Sequence, residues 1–481
     1  MTQAMTPIIP LLVACAWATM VLLIEAFSSS RRFVGVAWLT VVGLAVVAAL
    51  SMQPAGDGAV YGNAIAMDGY AAYFNVLACV IGIGSVLLSV DYLHDAGIFQ
   101  GEYYPLMFFA VAGVVVMAAA TDLIVMFIGL ETMSMAVYVL AGSLKNQMRS
   151  NEASLKYFLL GAFASALLLY GIALLYVMTG TTVLGGMHAA LTSGTLAGSD
   201  HLVVVLGTGL VLIGLGFKIA AVPFHLWAPD VYEGAPTSVT AFMATAVKAG
   251  GFAALLRTAM IALAPLHEQM MPILWVAAAV TMTVGNLVAL RQASLKRMLA
   301  YSSIAHTGYL LVGVTAGTDA AGAAVLFYLA GYGAMNLVAF GIMCAVARRG
   351  DARESIADYA GLGQTNPMLA LAMTIAMLSL TGIPPLGGFI GKLYVFTAAL
   401  DAGLFWLVGI AVFNSVISAA YYLGVVRTMY FDPPAGGVVE ARPYAAVVVA
   451  AATVVTVLLG VAPAPVLAAA ARAFEKVVLG A

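Results

Sequence analysis

Fourteen apolar runs, most close to the ~20 residues that a helix needs to cross a bilayer, dictate what this chain folds into. Their bounds in the sequence lie near 6–26, 33–52, 69–91, 105–120, 122–142, 155–180, 202–225, 238–262, 271–290, 298–316, 322–347, 367–398, 403–429 and 443–469. In lipid the backbone must satisfy its own hydrogen bonds, which leaves helices or closed barrels. The runs are continuous and lack the apolar/polar alternation of barrel strands, so an all-α polytopic membrane protein follows. Composition agrees: only 8% of the 481 residues are charged, against roughly 25% in a soluble domain. The first run has no basic segment before it and reads as a retained helix, not a cleaved signal.

The basic residues give an independent count of the crossings. Arg31, Arg32, Lys145, Arg149, Lys156, Arg291, Lys296, Arg297, Arg348, Arg349, Arg353, Arg427 and Arg442 all follow odd-numbered runs; they are thirteen of the 19 Lys/Arg. Loops 53–68 and 181–201 carry none. The positive-inside rule then places the basic loops in the cytoplasm and both termini outside.

An internal repeat runs through the middle of the chain. Leu159, Gly161, Ala164, Leu167, Gly171 and Ile172 recur as identical residues 170 positions later, and Tyr138, Leu140 and Gly142 match Tyr309, Leu311 and Gly313 at an offset of 171. Runs 5 and 6 thus correspond to runs 10 and 11. Because five is odd, the two five-helix copies run in opposite directions, as inverted repeats do. Runs 7 and 12 occupy matching places, and both are interrupted: by Pro223 in the first, by Pro384-Pro385 among glycines in the second. Proline removes a donor and frees carbonyls that then need polar partners, so helices 7 and 12 are expected to be discontinuous. The organisation expected is an N-terminal three-helix segment (1–104), a first repeat (105–265), a second inverted repeat (266–430) and a C-terminal helix 14 (431–481).

Four charged residues sit well inside apolar runs: Glu131, Lys218, Lys248 and Lys392. Even the lenient insertion scale assigns about 2.5–3.5 kcal/mol to a charge at mid-membrane. A snorkelling side chain near a helix end is the competing reading for each. A buried lysine, disfavoured as an ammonium by desolvation and favoured by a nearby carboxylate, is a proton carrier. Glu131, if it pairs with Lys218, would switch that lysine. His306 in run 10 is a candidate relay, weighed against a packing histidine. His225, just past the break in run 7, is a possible relay in an entry region. For Tyr421 and Tyr422, bonding to water is weighed against aromatic packing, and packing is the expectation; Arg257 is expected to be a snorkelling or paired charge.

Other chemistries are excluded or weak. A formal net charge of −2 gives no support to a nucleic-acid partner, and Cys15, Cys79 and Cys344 are too scattered for a metal or disulfide framework. Gly387-Gly-Phe-Ile-Gly-Lys392 is one residue short of a P-loop and lacks its Ser/Thr. No dinucleotide-binding glycine pattern stands between a strand and a helix.

Five stretches taken together resemble the antiporter-like membrane subunits of proton-pumping NADH:quinone oxidoreductase, respiratory complex I. They are Gly129-Leu-Glu-Thr-Met-Ser-Met135, the segment 216–237 containing Ala228-Pro-Asp-Val-Tyr-Glu-Gly-Ala-Pro236, Ala244-Thr-Ala-Val-Lys-Ala-Gly250, the segment 299–308 containing His306, and Thr381-Gly-Ile-Pro-Pro-Leu-Gly-Gly-Phe-Ile-Gly-Lys392. They are most similar to the subunit N branch, since sister subunit M has a glutamate where this chain has Lys392, and subunit L carries a long C-terminal arm. The resemblance implies that Glu131 pairs with Lys218, and that Lys248 and Lys392 complete the proton path. It also implies that redox energy released when quinone is reduced elsewhere drives proton movement here. FMN, iron–sulfur clusters and quinone would sit in partner subunits, with no NADH, flavin, iron–sulfur or metal site on this chain. The other membrane-arm subunits and the lipid of a bacterial inner membrane would be its partners. A subunit of a multi-subunit cation/proton antiporter, a quinone-binding electron-transfer subunit and a passive scaffold are the competing functions.

Overall fold

The computed structural model describes residues 8–27, 33–53, 60–96, 101–193, 198–347, 353–435 and 442–479. Arg31, Arg32, Arg348 and Arg349, on which the expected orientation partly rests, lie outside them. Among the described residues the helices are α1 (Ile9–Phe27), α2 (Phe33–Ser51), α3 (Gly69–Ala96), α4 (Tyr103–Ala119), α5 (Leu123–Ala141), α6 (Met148–Thr179), α7 (Leu184–Thr192), α8 (Ser199–Lys218), α9 (Trp227–Gly234), α10 (Thr237–Ala262), α11 (His267–Ala289), α12 (Leu295–Ala316), α13 (Asp319–Val346), α14 (Pro367–Thr381), α15 (Gly387–Asp401), α16 (Phe405–Phe431), α17 (Pro443–Val461) and α18 (Ala464–Leu479). Single turns at Ala264–Leu266, Ile356–Tyr359 and Leu362–Thr365 complete the list.

The fourteen crossings are made by α1–α6, α8, α10–α13, the α14–α15 pair, α16 and α17. The narrow division between the fourth and fifth is real. Asp122 caps α5 by accepting from the backbone N–H groups of Ile124 and Val125 at 2.7 and 3.2 Å, which offsets two of the donors that a helix start leaves unpaired. Three features depart from the sequence expectation. The sixth helix begins at Met148, not 155, because its first two turns carry Arg149, Asn151 and Glu152 and so lack the apolar character that marks the rest of the run. The loop after it holds α7. The last run divides at Ala462-Pro463, where proline stops α17 and a separate α18 begins.

Two inverted five-helix repeats form the body. Each opens with a helix pair that meets at glycines on both sides. Gly129 faces the backbone of α4, with its missing Cβ only 2.8 Å from Met117 N, and Gly285 faces α12 at 2.5 Å from Ala305 N. Small residues permit such close approach where no hydrophobic force holds helices together in lipid. The centre is the row α10, α12 and α13: every residue of α12 named from Ser302 to Ala316 is buried, as are all of Thr237–Arg257. α1, α6, α8 and α16 present Leu23, Phe163, Leu206 and Phe413 outward.

Candidate functional site

Both broken helices end on lysine chemistry, and the reason lies in their freed carbonyls. α8 stops at Lys218, and Ala220 adopts φ +58, a left-handed conformation that costs an alanine roughly 1–2 kcal/mol. The exposed acceptors are then taken by side chains: Trp227 Nε1 donates to Phe217 O at 3.0 Å and Thr307 Oγ1 to Ile219 O at 2.6 Å. In the second repeat α14 ends at Thr381 and Gly382 takes φ +92. Here the lysine itself fills the gap: Lys392 Nζ, reaching back from α15, donates to Thr381 O at 2.9 Å, Leu380 O at 3.3 Å and Ser415 Oγ at 3.2 Å.

The three lysines are buried, at 3% (Lys218), 1% (Lys248) and 4% (Lys392) exposure; none snorkels. Lys218 Nζ donates to Tyr138 Oη at 3.3 Å and lies over the rings of Tyr138 and Tyr157. Lys248 follows a π-turn (Met243–Val247) in α10, an irregularity that re-aims the side chains beyond it. Its ammonium donates to Ser303 O, Ser303 Oγ and, at 2.8 Å, Thr307 Oγ1, which accounts for all three of its protons. Thr307 therefore bridges the break after Lys218 to Lys248.

His306, one position before Thr307, lies on α12 between Ser303, which accepts from Lys248, and Tyr309, which lies beneath Lys392. It is 1% exposed; Nδ1 contacts Tyr328 Oη at 2.8 Å and Nε2 contacts Tyr422 Oη at 3.2 Å. Both ring nitrogens thus face hydroxyls that either give or take a proton, as a relay requires, and Lys248 and Lys392 both act on it electrostatically. Tyr422 also bonds to Ser302. Tyr309, next on α12, carries Lys392 Nζ over its ring at 4.4 Å and accepts from Asn286 Nδ2 at 2.9 Å. Asn286 in turn accepts from Tyr421 Oη at 2.9 Å.

Four sequence expectations are corrected, completed or met. Tyr421 and Tyr422 do stack on each other, but both hydroxyls are hydrogen-bonded within the polar row, so packing is not their whole role. Glu131 is half-buried on α5 and accepts from Ser165 Oγ; among the described residues no direct ion pair joins it to Lys218, although its charge acts on that lysine. The contact that Lys218 does make is with Tyr138, two turns further along the same helix. His225 is half-buried past the break, with Nδ1 bonded to no protein atom, and stands apart from the row. Arg257 is paired, with Asp68 at 2.8 Å, and is only 1% exposed.

Sequence reasoning passed over Ser303, Thr307, Tyr328 and Tyr309 because neutral hydroxyls are common in membrane helices; the Tyr138/Tyr309 match in the repeat was the available signal. It also counted Lys296 only as a topological charge. That side chain is 1% exposed and donates to Glu354 Oε1 at 2.8 Å and to Glu233 O at 3.1 Å, while neighbouring Arg297 bonds to Glu233 and Asp230 at 2.6 and 3.0 Å. Lys156 reaches the same Asp230 at 3.1 Å. The short α9 is thereby clamped between α6 and α12 on the side of the basic loops.

Paired inverted repeats, each with a broken helix at a buried lysine, and a hydrogen-bonded row between them define an antiporter-like membrane protein. Residues 120–418 match the family described as NADH:quinone oxidoreductase/Mrp antiporter, TM. NADH-quinone oxidoreductase subunit N from Trichlorobacter lovleyi is 44% identical over 429 residues, covering 89% of this chain and 87% of that one. The subunit N of Chloroflexus aggregans is 42% identical, covering 98% and 97%. A chain of the solved respiratory complex I from Thermus thermophilus with bound aureothin superposes with a TM-score of 0.80 at 36% identity, covering 96% of this chain and 99% of that one. The chain belongs to the NADH-quinone oxidoreductase subunit N family.

Proposed function

We propose that this chain is a proton-translocating membrane-arm subunit of NADH:quinone oxidoreductase, moving protons through Lys218, Lys248, His306 and Lys392 while redox chemistry proceeds elsewhere in the complex. The observation that carries the reading is the succession of titratable and hydroxyl groups along the buried interior. Lys248 meets Ser303 and Thr307, His306 meets Tyr328 and Tyr422, and Lys392 rests on Tyr309. Single charges held there cost several kcal/mol unless they are used or paired, and no carboxylate pairs with Lys248 or Lys392 among the described residues.

In this reading a proton passes from one lysine to the next through intervening hydroxyls and His306. Glu131 sets the electrostatic bias on Lys218 without touching it, and His225 lies in the entry region. Residues 105–265 and 266–430 act as two oppositely directed half-units, preceded by the three-helix segment 1–104 and followed by 431–481. FMN, iron–sulfur clusters and quinone belong to partner subunits, and this chain holds no NADH, flavin or metal. It sits among the other membrane-arm subunits in a bacterial inner membrane, both termini facing outward, as the alternation of basic loops supports.

Lys248→Met and Lys392→Met test this. In membranes where the complex assembles, each is expected to cut NADH-driven proton pumping by at least tenfold. Wild-type pumping in both would overturn the reading in favour of a scaffold. Purification of the chain without NADH-oxidising partners would favour the cation/proton antiporter instead.

A further inference from the structure

A cleft of about 530 Å³ opens between α4, α5 and α6 on the side of the basic loops. It is far larger than the ~30 Å³ that one water takes up in the liquid. Its mouth is charged: Lys145 and Glu102 stand 3.7 Å apart, both well exposed. Its walls are apolar, with Leu155 and Val139 on facing sides. Ser143, just past the end of α5 and two residues from Lys145, lines it near the mouth; its buried hydroxyl has no protein partner, and a group of this kind calls for water. Tyr138 completes the lining, one turn inside the end of α5, and it is the same hydroxyl that accepts from Lys218 Nζ at 3.3 Å.

From this geometry we infer that the α4–α5–α6 cleft is the aqueous access to Lys218, with Tyr138 as the residue through which the proton enters. The inference rests on the proton-pumping reading. In the entering step the lone pair of neutral Lys218 Nζ takes the Tyr138 hydroxyl proton, and the Tyr138 oxygen takes a proton from the water behind it. Two O–H bonds break, one in Tyr138 and one in that water, while one N–H and one O–H bond form; the water regains its proton from the medium through the cleft, and tyrosine is regenerated with no redox change. The packing protects this role. Gly161 of α6 lies against the ring, where an added Cβ would stand 2.7 Å from Tyr138 Cζ. Tyr157 meets it edge-on with ring centroids 4.7 Å apart, fixing its direction. The repeat supplies a counterpart, since Tyr309 matches Tyr138 by position and underlies Lys392 as Tyr138 underlies Lys218.

The test uses the assembled complex in inside-out vesicles, where the basic-loop side faces the medium. Val139→Cys is treated with the cationic, membrane-impermeant reagent methanethiosulfonate ethyltrimethylammonium, and labelling is counted by mass spectrometry. Labelling is expected, with pumping at least fivefold below that of the same variant left untreated. Should Val139→Cys fail to assemble, Leu155→Cys on the facing wall gives the same readout. Absence of labelling, or full labelling without loss of pumping, overturns the inference. Failure of the underlying reading shows separately, as wild-type pumping in Lys248→Met. Tyr138→Phe, which keeps the ring and removes the hydroxyl, is expected to slow pumping at least fivefold, and unchanged pumping there also overturns the inference.

Discussion

Replacing Thr307 by valine tests the bridge between the two halves of the proton row. The change keeps the shape of the side chain and deletes one hydroxyl. That hydroxyl accepts from Lys248 Nζ at 2.8 Å and donates to Ile219 O at 2.6 Å. Lys248 has three protons and three acceptors, so the valine leaves one N–H unpaired at a site 1% exposed. A hydrogen bond to a charged group contributes about 1.5–3 kcal/mol, and the orphaned carbonyl of Ile219 adds about 1–3 kcal/mol of desolvation. Ascribed to the transfer step alone, a loss of about 1.5–3 kcal/mol slows it by roughly ten- to a hundredfold. The assay is the initial rate of NADH-driven proton uptake by inside-out vesicles, normalised to assembled complex. Thr307→Ser restores the hydroxyl and is expected to recover most of the rate. Wild-type pumping in Thr307→Val, or serine behaving like valine, would refute the bridging role.

Two further changes probe the supports of the row. In Gly161→Ala the new methyl would lie 2.7 Å from Tyr138 Cζ and 3.1 Å from Cε1, inside the ~3.5–4.0 Å optimum for carbon contacts. The ring must move, so about 1–3 kcal/mol of stability and much of the pumping rate are expected to be lost; thermal melting and vesicle pumping together check this, and wild-type values in both would refute it. Lys296→Met leaves Glu354 and the Glu233 carbonyl without their donor. Removing one partner of a buried pair costs about 3–5 kcal/mol; because Glu354 is 21% exposed, a value near or below the lower end is expected, read as an earlier melting transition of the purified complex.

The sequence carried much of this architecture because membrane chains obey two strong rules. Charge is expensive in hydrocarbon, so Lys218, Lys248 and Lys392 stood out, and basic loops alternate, so the crossings counted themselves. The proline breaks were legible for the same reason: freed carbonyls in lipid have few remedies. What stayed hidden was pairing. The pairing of Glu131 with Lys218 rested only on the family resemblance, and Lys218 instead touches Tyr138, seven positions along α5 from Glu131. Tyr421 and Tyr422 looked like core aromatics because composition does not reveal where a hydroxyl points. α18 was concealed because Ala462-Pro463 interrupts an otherwise continuous alanine- and valine-rich run.

At the end of α14 the ammonium of Lys392 serves as the cap for carbonyls that the backbone cannot otherwise satisfy. Emptying that group of its charge therefore also undoes a fastening of the main chain, and refilling it draws the two pieces together again. Electrical state and mechanical state are written on the same atom. A neighbour pressing on either half of this helix would change how readily the lysine gives up its proton, and each proton given up would push back on that neighbour.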